Sequence, residues 1–214
     1  MKTERRAATG IRKPWRLHPA VMAAFALAVS IPIPAAGQAG PGEAVRARNE
    51  AAQRAVDAAG DSISDEAREA LKDVINGLID FRELSRRALR RHWAARTPEE
   101  QDQFVDVFRS LIRNSSVQKL EIYQADSITY QPAETDGDRS RVVTIAYKGR
   151  SEVEIAYLMH KVGDEWKVYD VVIDDSSTLR TYQDSFQREI NSTSYEAMYD
   201  RMVDKLAESS GTGG

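Results

Sequence analysis

The apolar residues of this 214-residue chain repeat with one period, then another, then the first again. Up to about Leu120 they recur every three or four residues, the spacing of a helix face. From Ser127 to Ile173 they alternate, the spacing of a strand. Ser127–Gln131 places Ile128 and Tyr130 on one side, and Arg141–Lys148 places Val143, Ile145 and Tyr147 together. Ser151–Lys161 sets Val153, Ile155, Tyr157 and Met159 against Glu152, Glu154 and His160. Trp166–Ile173 is apolar except for Lys167 and Asp170, which predicts a central strand covered on both faces. Asp136-Gly137, Gly149 and Gly163-Asp164 separate these runs as turns. The helical spacing then returns. Helices, four strands in an antiparallel meander, and helices again predict an α+β domain.

Punctuation sharpens the helix boundaries. Glu43–Ala59 is an alanine-rich, weakly amphipathic helix, broken by Asp61–Ser64. Ser64 caps the next one, with Ile63 as a hydrophobic staple and Ala67, Leu71, Val74, Ile75 and Leu78 on one face. Asp80 and Glu83 have capping-box spacing. Thr97-Pro98-Glu99-Glu100 combines a threonine cap, proline at the first helical position and glutamate at the third. Ser176 or Ser177 caps a helix carrying Leu179, Tyr182, Phe186 and Ile190, and Thr193 with Glu196 predicts another. Glu208–Gly214 predicts a disordered tail.

The first 39 residues indicate where the chain works. Lys2, Arg5, Arg6, Arg12, Lys13 and Arg16 stand against Glu4, an apolar block follows from Ala20 to Ile33, and small residues Ala35, Ala36, Gly37 and Ala39 come next. That order predicts a secretory signal peptide cleaved after Gly37 or Ala39. Pro32 and Pro34 break an apolar run already short for a membrane span. Without residues 1–37 the chain holds 24 bases against 32 acids, a formal charge of −8. Such a balance argues against nucleic acid and against passive adhesion to anionic membranes. The absence of cysteine excludes thiol catalysis and thiolate metal sites, and leaves an exported protein resting on its apolar core.

Chemistry-bearing motifs are sparse. There is no glycine-rich phosphate loop, no Gly-x-Ser-x-Gly and no His-Glu-x-x-His, so no cofactor is expected. His92 and His160 have no ligand-type spacing. Asp170, flanked by Tyr169 and Val171, is either a proton-transfer base or a structural carboxylate paired with an arginine from Arg86–Arg91. Arg86, Arg87, Arg90 and Arg91 form two i, i+4 pairs, fit for a phosphate or for a solvated helix face. Arg139, Arg141, Lys148 and Arg150 are expected to gather near one end of the sheet.

Two blocks carry a resemblance. Leu78–Phe108 reads LIDFRELSRRALRRHWAARTPEEQDQFVDVF, and Glu165–Ile190 reads EWKVYDVVIDDSSTLRTYQDSFQREI. The Asp-Phe opening, the Trp93–Thr97-Pro98-Glu99 junction, Phe104 and Phe108 resemble the first MlaC family pattern. Trp166–Val171, Ser177, Tyr182 and Phe186 resemble the second. The likeness spans about 43–207. It departs at Arg90, where a glycine is common, at Asn114–Ser116, where a more aromatic stretch is usual, and at Gln183, where arginine is usual.

The resemblance implies a periplasmic phospholipid carrier, also called a toluene-tolerance protein. Such a carrier shuttles lipid between an outer-membrane lipoprotein–porin complex and an inner-membrane ABC transporter complex with an MCE-type lipid-binding subunit, which maintains outer-membrane asymmetry. It implies a cone resembling that of nuclear transport factors, with an apolar cavity between sheet and helices and no enzymatic activity. Phe81, Leu84, Phe104, Phe108, Ile112, Val153, Ile155, Tyr157, Val168 and Val172 are read as its lining, each fitting plain core equally well. Tyr182 and Phe186 would stand near a wall or mouth. Other readings are a carrier of another lipid such as a hopanoid, a scaffold of the cell envelope, or a cone-fold enzyme using Asp170 as base with Tyr157 or Tyr169 as donor.

Overall fold

Residues 39–59, 65–117 and 125–211 are described by a computed structural model. Nearly all of the segment expected to be an export signal, the expected Ile63–Ser64 start of the second helix and the last three residues lie outside them. Helices α1 (Pro41–Ala59), α2 (Asp65–Asn76), α3 (Phe81–Leu89) and α4 (Pro98–Val117) precede the sheet. A 3-10 turn, Arg90–His92, follows α3. The strands are β1 (Ser127–Tyr130), β2 (Glu134–Asp136), β3 (Arg139–Lys148), β4 (Ser151–Val162), β5 (Glu165–Ile173) and β6 (Ser176–Ser177); α5 (Thr178–Ser192) and α6 (Tyr195–Gly211) follow.

The fold is α+β, as the periodicity predicts, but the antiparallel sheet has six strands rather than four. Its order is β1-β3-β4-β5-β6, with β2 also pairing with β3. The two additional strands have three and two residues. Alternation needs about four residues to register, so neither leaves a readable pattern. Strand β5 is not central. Its outer edge is closed by β6 and by Leu78–Asp80: Val168 N–H donates to Leu78 O at 2.9 Å, and Asp80 N–H donates to Val168 O at 2.8 Å. Those bonds occupy backbone groups that a near-edge strand would otherwise leave open. Helix α6 extends to Gly211, so Glu208–Gly211 is helical instead of forming part of a disordered tail.

Caps follow local chemistry. Thr97 and Glu100 make the reciprocal box, with Thr97 N–H donating to Glu100 Oε2 at 2.8 Å and Glu100 N–H to Thr97 Oγ1 at 3.2 Å. Asp80 caps α3 by accepting Glu83 N–H at 2.9 Å. Glu83 does not reciprocate, because Arg86 and Arg87 both bind it at 2.7 Å. Helix α6 is capped by Ser194, which accepts Ala197 N–H at 3.2 Å. Thr193 instead turns its hydroxyl back to Glu189 O at 2.9 Å.

Register decides the faces. Thr144, Ile155 and Ile173 lie abreast, as do Val142, Tyr157 and Val171, so each row projects to the same side. On β3 the buried set is Ser140, Val142, Thr144 and Ala146, while Val143, Ile145 and Tyr147 are half-buried on the opposite face. A β-bulge at Leu158/Met159 inserts Tyr169 between Val168 and Asp170. The cationic residues of the sheet do not gather. Arg139 and Lys148 end a ten-residue strand, about 30 Å apart.

The core has three parts. The largest joins α3, α4, α5 and α6 around Phe104, Phe108, Phe186 and Met198. A second joins Val45 of α1 to Val142, Met159, Trp166 and Val168 of the sheet. A third, Ala52, Val56 and Leu71, holds α1 against α2.

Candidate functional site

An apolar cavity of about 140 Å³ opens where these three cores meet. Val45, Arg48 and Asn49 come from α1, and Ile75 and Asn76 from the end of α2. Leu78, Ile79, Leu84, Ile112 and Ser115 line the helical side. The sheet contributes Ile155, Tyr157, Ile173 and the Val168–Val171 segment, and Thr178 stands at the start of α5. Ten of the eighteen lining residues are aliphatic, so the surface suits hydrocarbon rather than a polar substrate.

Five residues expected at the lining are there: Leu84, Ile112, Ile155, Tyr157 and Val168. Phe81, Phe104, Phe108, Tyr182 and Phe186 belong instead to the helical core. Their rings interlock, with Phe108 edge-on to Tyr182 at 4.8 Å and to Phe186 at 5.4 Å. Val153 and Val172 are half-buried and do not line the cavity. Phe104 and Phe108 satisfy helix periodicity equally well as core or as lining, and only the packing partners separate the two.

The α1 contribution was not expected. Val45, Asn49, Ala52 and Val56 recur at spacings of four, three and four, and all are buried. Asn49, an amide on an otherwise apolar stripe, was the available signal. It accepts the Tyr157 hydroxyl at 3.4 Å. Burial pushes the Tyr157 phenol above its ordinary pKa, with the Asn49 and Thr144 hydrogen bonds pulling back. The hydroxyl therefore remains a neutral donor.

Asp170 is 4% exposed and lies against the cavity. Its Oδ2 accepts the Ser177 hydroxyl at 2.6 Å, and its Oδ1 accepts Leu179 N–H at 2.9 Å. Burial raises its pKa; the bonds from Ser177, Leu179 and Val171 and the charge of Arg87 oppose that rise. A carboxylate at the start of α5 also complements the helix dipole. Both oxygens are committed to holding that helix.

The arginines of α3 are dispersed. Arg86 and Arg87 bind Glu83, whose carboxyl is held down to about pKa 2, chiefly by the Arg86 hydrogen bond. Arg87 also stacks 3.9 Å over the Tyr169 ring. Arg91 donates to Asn191 Oδ1 at 3.1 Å. Gln183 donates to Arg87 O at 2.8 Å, joining α5 to the last turn of α3. His160 is 3.0 Å from Asp80 Oδ2. Among the described residues no group of acids and histidines is placed to hold a metal, and no helix is long and apolar enough to cross a membrane.

Comparison with known proteins adds three findings. A phospholipid-binding protein from Ralstonia solanacearum, solved in complex with a phospholipid, superposes with a TM-score of 0.67 at 23% identity, covering 78% of this chain and 94% of that one. Toluene tolerance protein ttg2D of Pseudomonas putida is 22% identical over 121 residues, 55% of this chain and 56% of the relative, so the chain spans about half the length of that curated relative. Residues 48–204 match the MlaC protein family, from α1 to the body of α6, and on that match the chain belongs to the MlaC family.

Proposed function

We propose that this protein is a phospholipid carrier of the periplasm. It shields lipid tails between sheet and helices, and exchanges them between an outer-membrane lipoprotein–porin complex and an inner-membrane ABC transporter complex with an MCE-type subunit. The observation that carries this reading is the aliphatic cavity at the meeting of three separately packed cores. Support also comes from the family and from the phospholipid held by the Ralstonia protein of the same fold.

The energetics suit the task. Each methylene moved out of water contributes about 0.8 kcal/mol, so a 16-carbon chain contributes roughly 12 kcal/mol. A cavity of about 140 Å³ matches in scale one that admits a benzene ring, not a whole acyl chain. Loading therefore requires the helical core and the sheet to part along their seam. Widening a seam leaves the contacts inside each core in place. Release then requires a partner that offers the tails a comparable site.

The test is native mass spectrometry of protein purified from its own cell envelope, paired with uptake of labelled phospholipid from vesicles. A bound species of phospholipid mass and saturable uptake are expected. Lipid-free protein that takes up nothing overturns the carrier reading. Co-purification of a polycyclic lipid alone changes the cargo and retains the carrier.

A further inference from the structure

The geometry points to Arg48 as the seat of the lipid's phosphate, positioned by the bare backbone of Gly77; this rests on the carrier reading above. The cavity lining holds two formal charges, Arg48 and Asp170. Asp170 is neutralised locally by Ser177, Leu179 N–H and the field of Arg87. Arg48 is half-buried and, among the described residues, has neither an ion pair nor a hydrogen bond. A guanidinium drawn partly out of water without a counter-charge weighs against folding. It therefore marks a position that an anion completes.

The neighbouring backbone is shaped for that guanidinium. A Cβ at Gly77 would lie 2.8 Å from both Arg48 Nη atoms and 2.9 Å from Cζ. The fork thus occupies the volume that a side chain at 77 would take. Placed there, it carries parallel N–H donors that match two oxygens of a phosphate. An amphiphile with tails among Ile155, Val168 and Ile173 and one phosphate at the cavity edge satisfies both the aliphatic wall and the unpaired cation. A chain whose mature charge is −8 repels anions at long range, so a local cation is what would hold one.

The experiment compares uptake of phosphatidylglycerol and of diacylglycerol with the same acyl chains, each from neutral carrier vesicles. Wild type, Arg48→Gln and Gly77→Ala are measured by mass spectrometry of extracted lipid, with circular dichroism melts checking the fold. Wild type is expected to favour phosphatidylglycerol about tenfold, the scale of one charge-assisted bond. In Arg48→Gln that ratio is expected to fall to near one. Gly77→Ala, which meets only the end of a flexible side chain, is expected to lower the ratio while the melt stays in place. A wild-type ratio unchanged in both variants overturns the assignment and leaves the carrier intact; no uptake of either lipid by wild type overturns the carrier reading itself. A parallel titration with inorganic phosphate follows the Arg48 Nε NMR signal. A response only to short-chain phosphatidylglycerol supports the lipid phosphate, and an equal response to inorganic phosphate with no lipid preference assigns the site to a free anion and overturns it.

Discussion

The Ser177 hydroxyl donates to Asp170 Oδ2 at 2.6 Å while its oxygen accepts Arg180 N–H at 2.9 Å. One serine thus caps α5 and joins that helix to a buried acid of β5. Removing the acid in Asp170→Ala leaves the Ser177 hydroxyl and Leu179 N–H unpaired in a buried setting. A loss of about 2–3 kcal/mol is expected, read from urea unfolding. Asp170→Asn keeps an acceptor for Leu179 and is expected to lose about 1 kcal/mol. Equal stability of the alanine variant and wild type would dismiss this anchoring role.

Residues of core and cavity should respond differently to substitution. Phe186→Ala opens a hole among Phe104, Phe108 and Tyr182, and a loss of about 3–5 kcal/mol is expected. Ile173 is half-buried and faces unfilled space. Ile173→Trp should therefore shift stability by less than about 1 kcal/mol while cutting lipid uptake severalfold. Full uptake by a stable Ile173→Trp protein would show that tails do not enter there.

Arg90 has φ 52° and ψ −123°, a conformation that glycine adopts freely and that a side chain resists. Such strain costs on the order of 1–3 kcal/mol, partly offset by the greater freedom of glycine in the unfolded chain. Arg90→Gly is expected to gain about 1 kcal/mol, visible as a higher urea midpoint. Arg90→Ala keeps the Cβ and should gain nothing.

Acid should weaken the α3 cluster. The Glu83 carboxyl titrates near pH 2 when folded, against about 4.5 when free, so its contribution is complete above pH 4.5 and is lost as pH falls toward 2. Asp170 acts in the opposite sense, because its pKa is raised on folding and protonation relieves its burial. In Glu83→Gln the fall in urea midpoint between pH 4.5 and 2 should be shallower than in wild type. Parallel profiles for the two proteins would remove Glu83 from the acid response.

Much of the fold was legible because local rules operate over short distances. The Thr97–Glu100 box, the Ser177 cap, the Asp80 cap and the alternation of β1, β3, β4 and β5 each depend on residues within a turn or a strand. Strands β2 and β6 were not legible, being shorter than the pattern that reveals a strand. Thr193 has the capping-box spacing to Glu196, yet its hydroxyl is drawn back to Glu189 O at the end of α5, and Ser194 accepts Ala197 N–H at the start of α6 instead. The alternation of β3 groups Val143, Ile145 and Tyr147 on one face, but which face is buried is a tertiary outcome: Val142 and Thr144 take the covered side.

The sequence by itself determined the order of the longer elements, most of their caps and the α+β class, since each is written in spacings of two to four residues. Only the tertiary structure decided which aromatic residues fill a core, which aliphatic ones face open space, and that Arg48 of α1 lies against Gly77 beyond α2. Those outcomes depend on how separate elements approach one another, and an apolar residue carries the same local signal whether its neighbour across the gap is a side chain or a void.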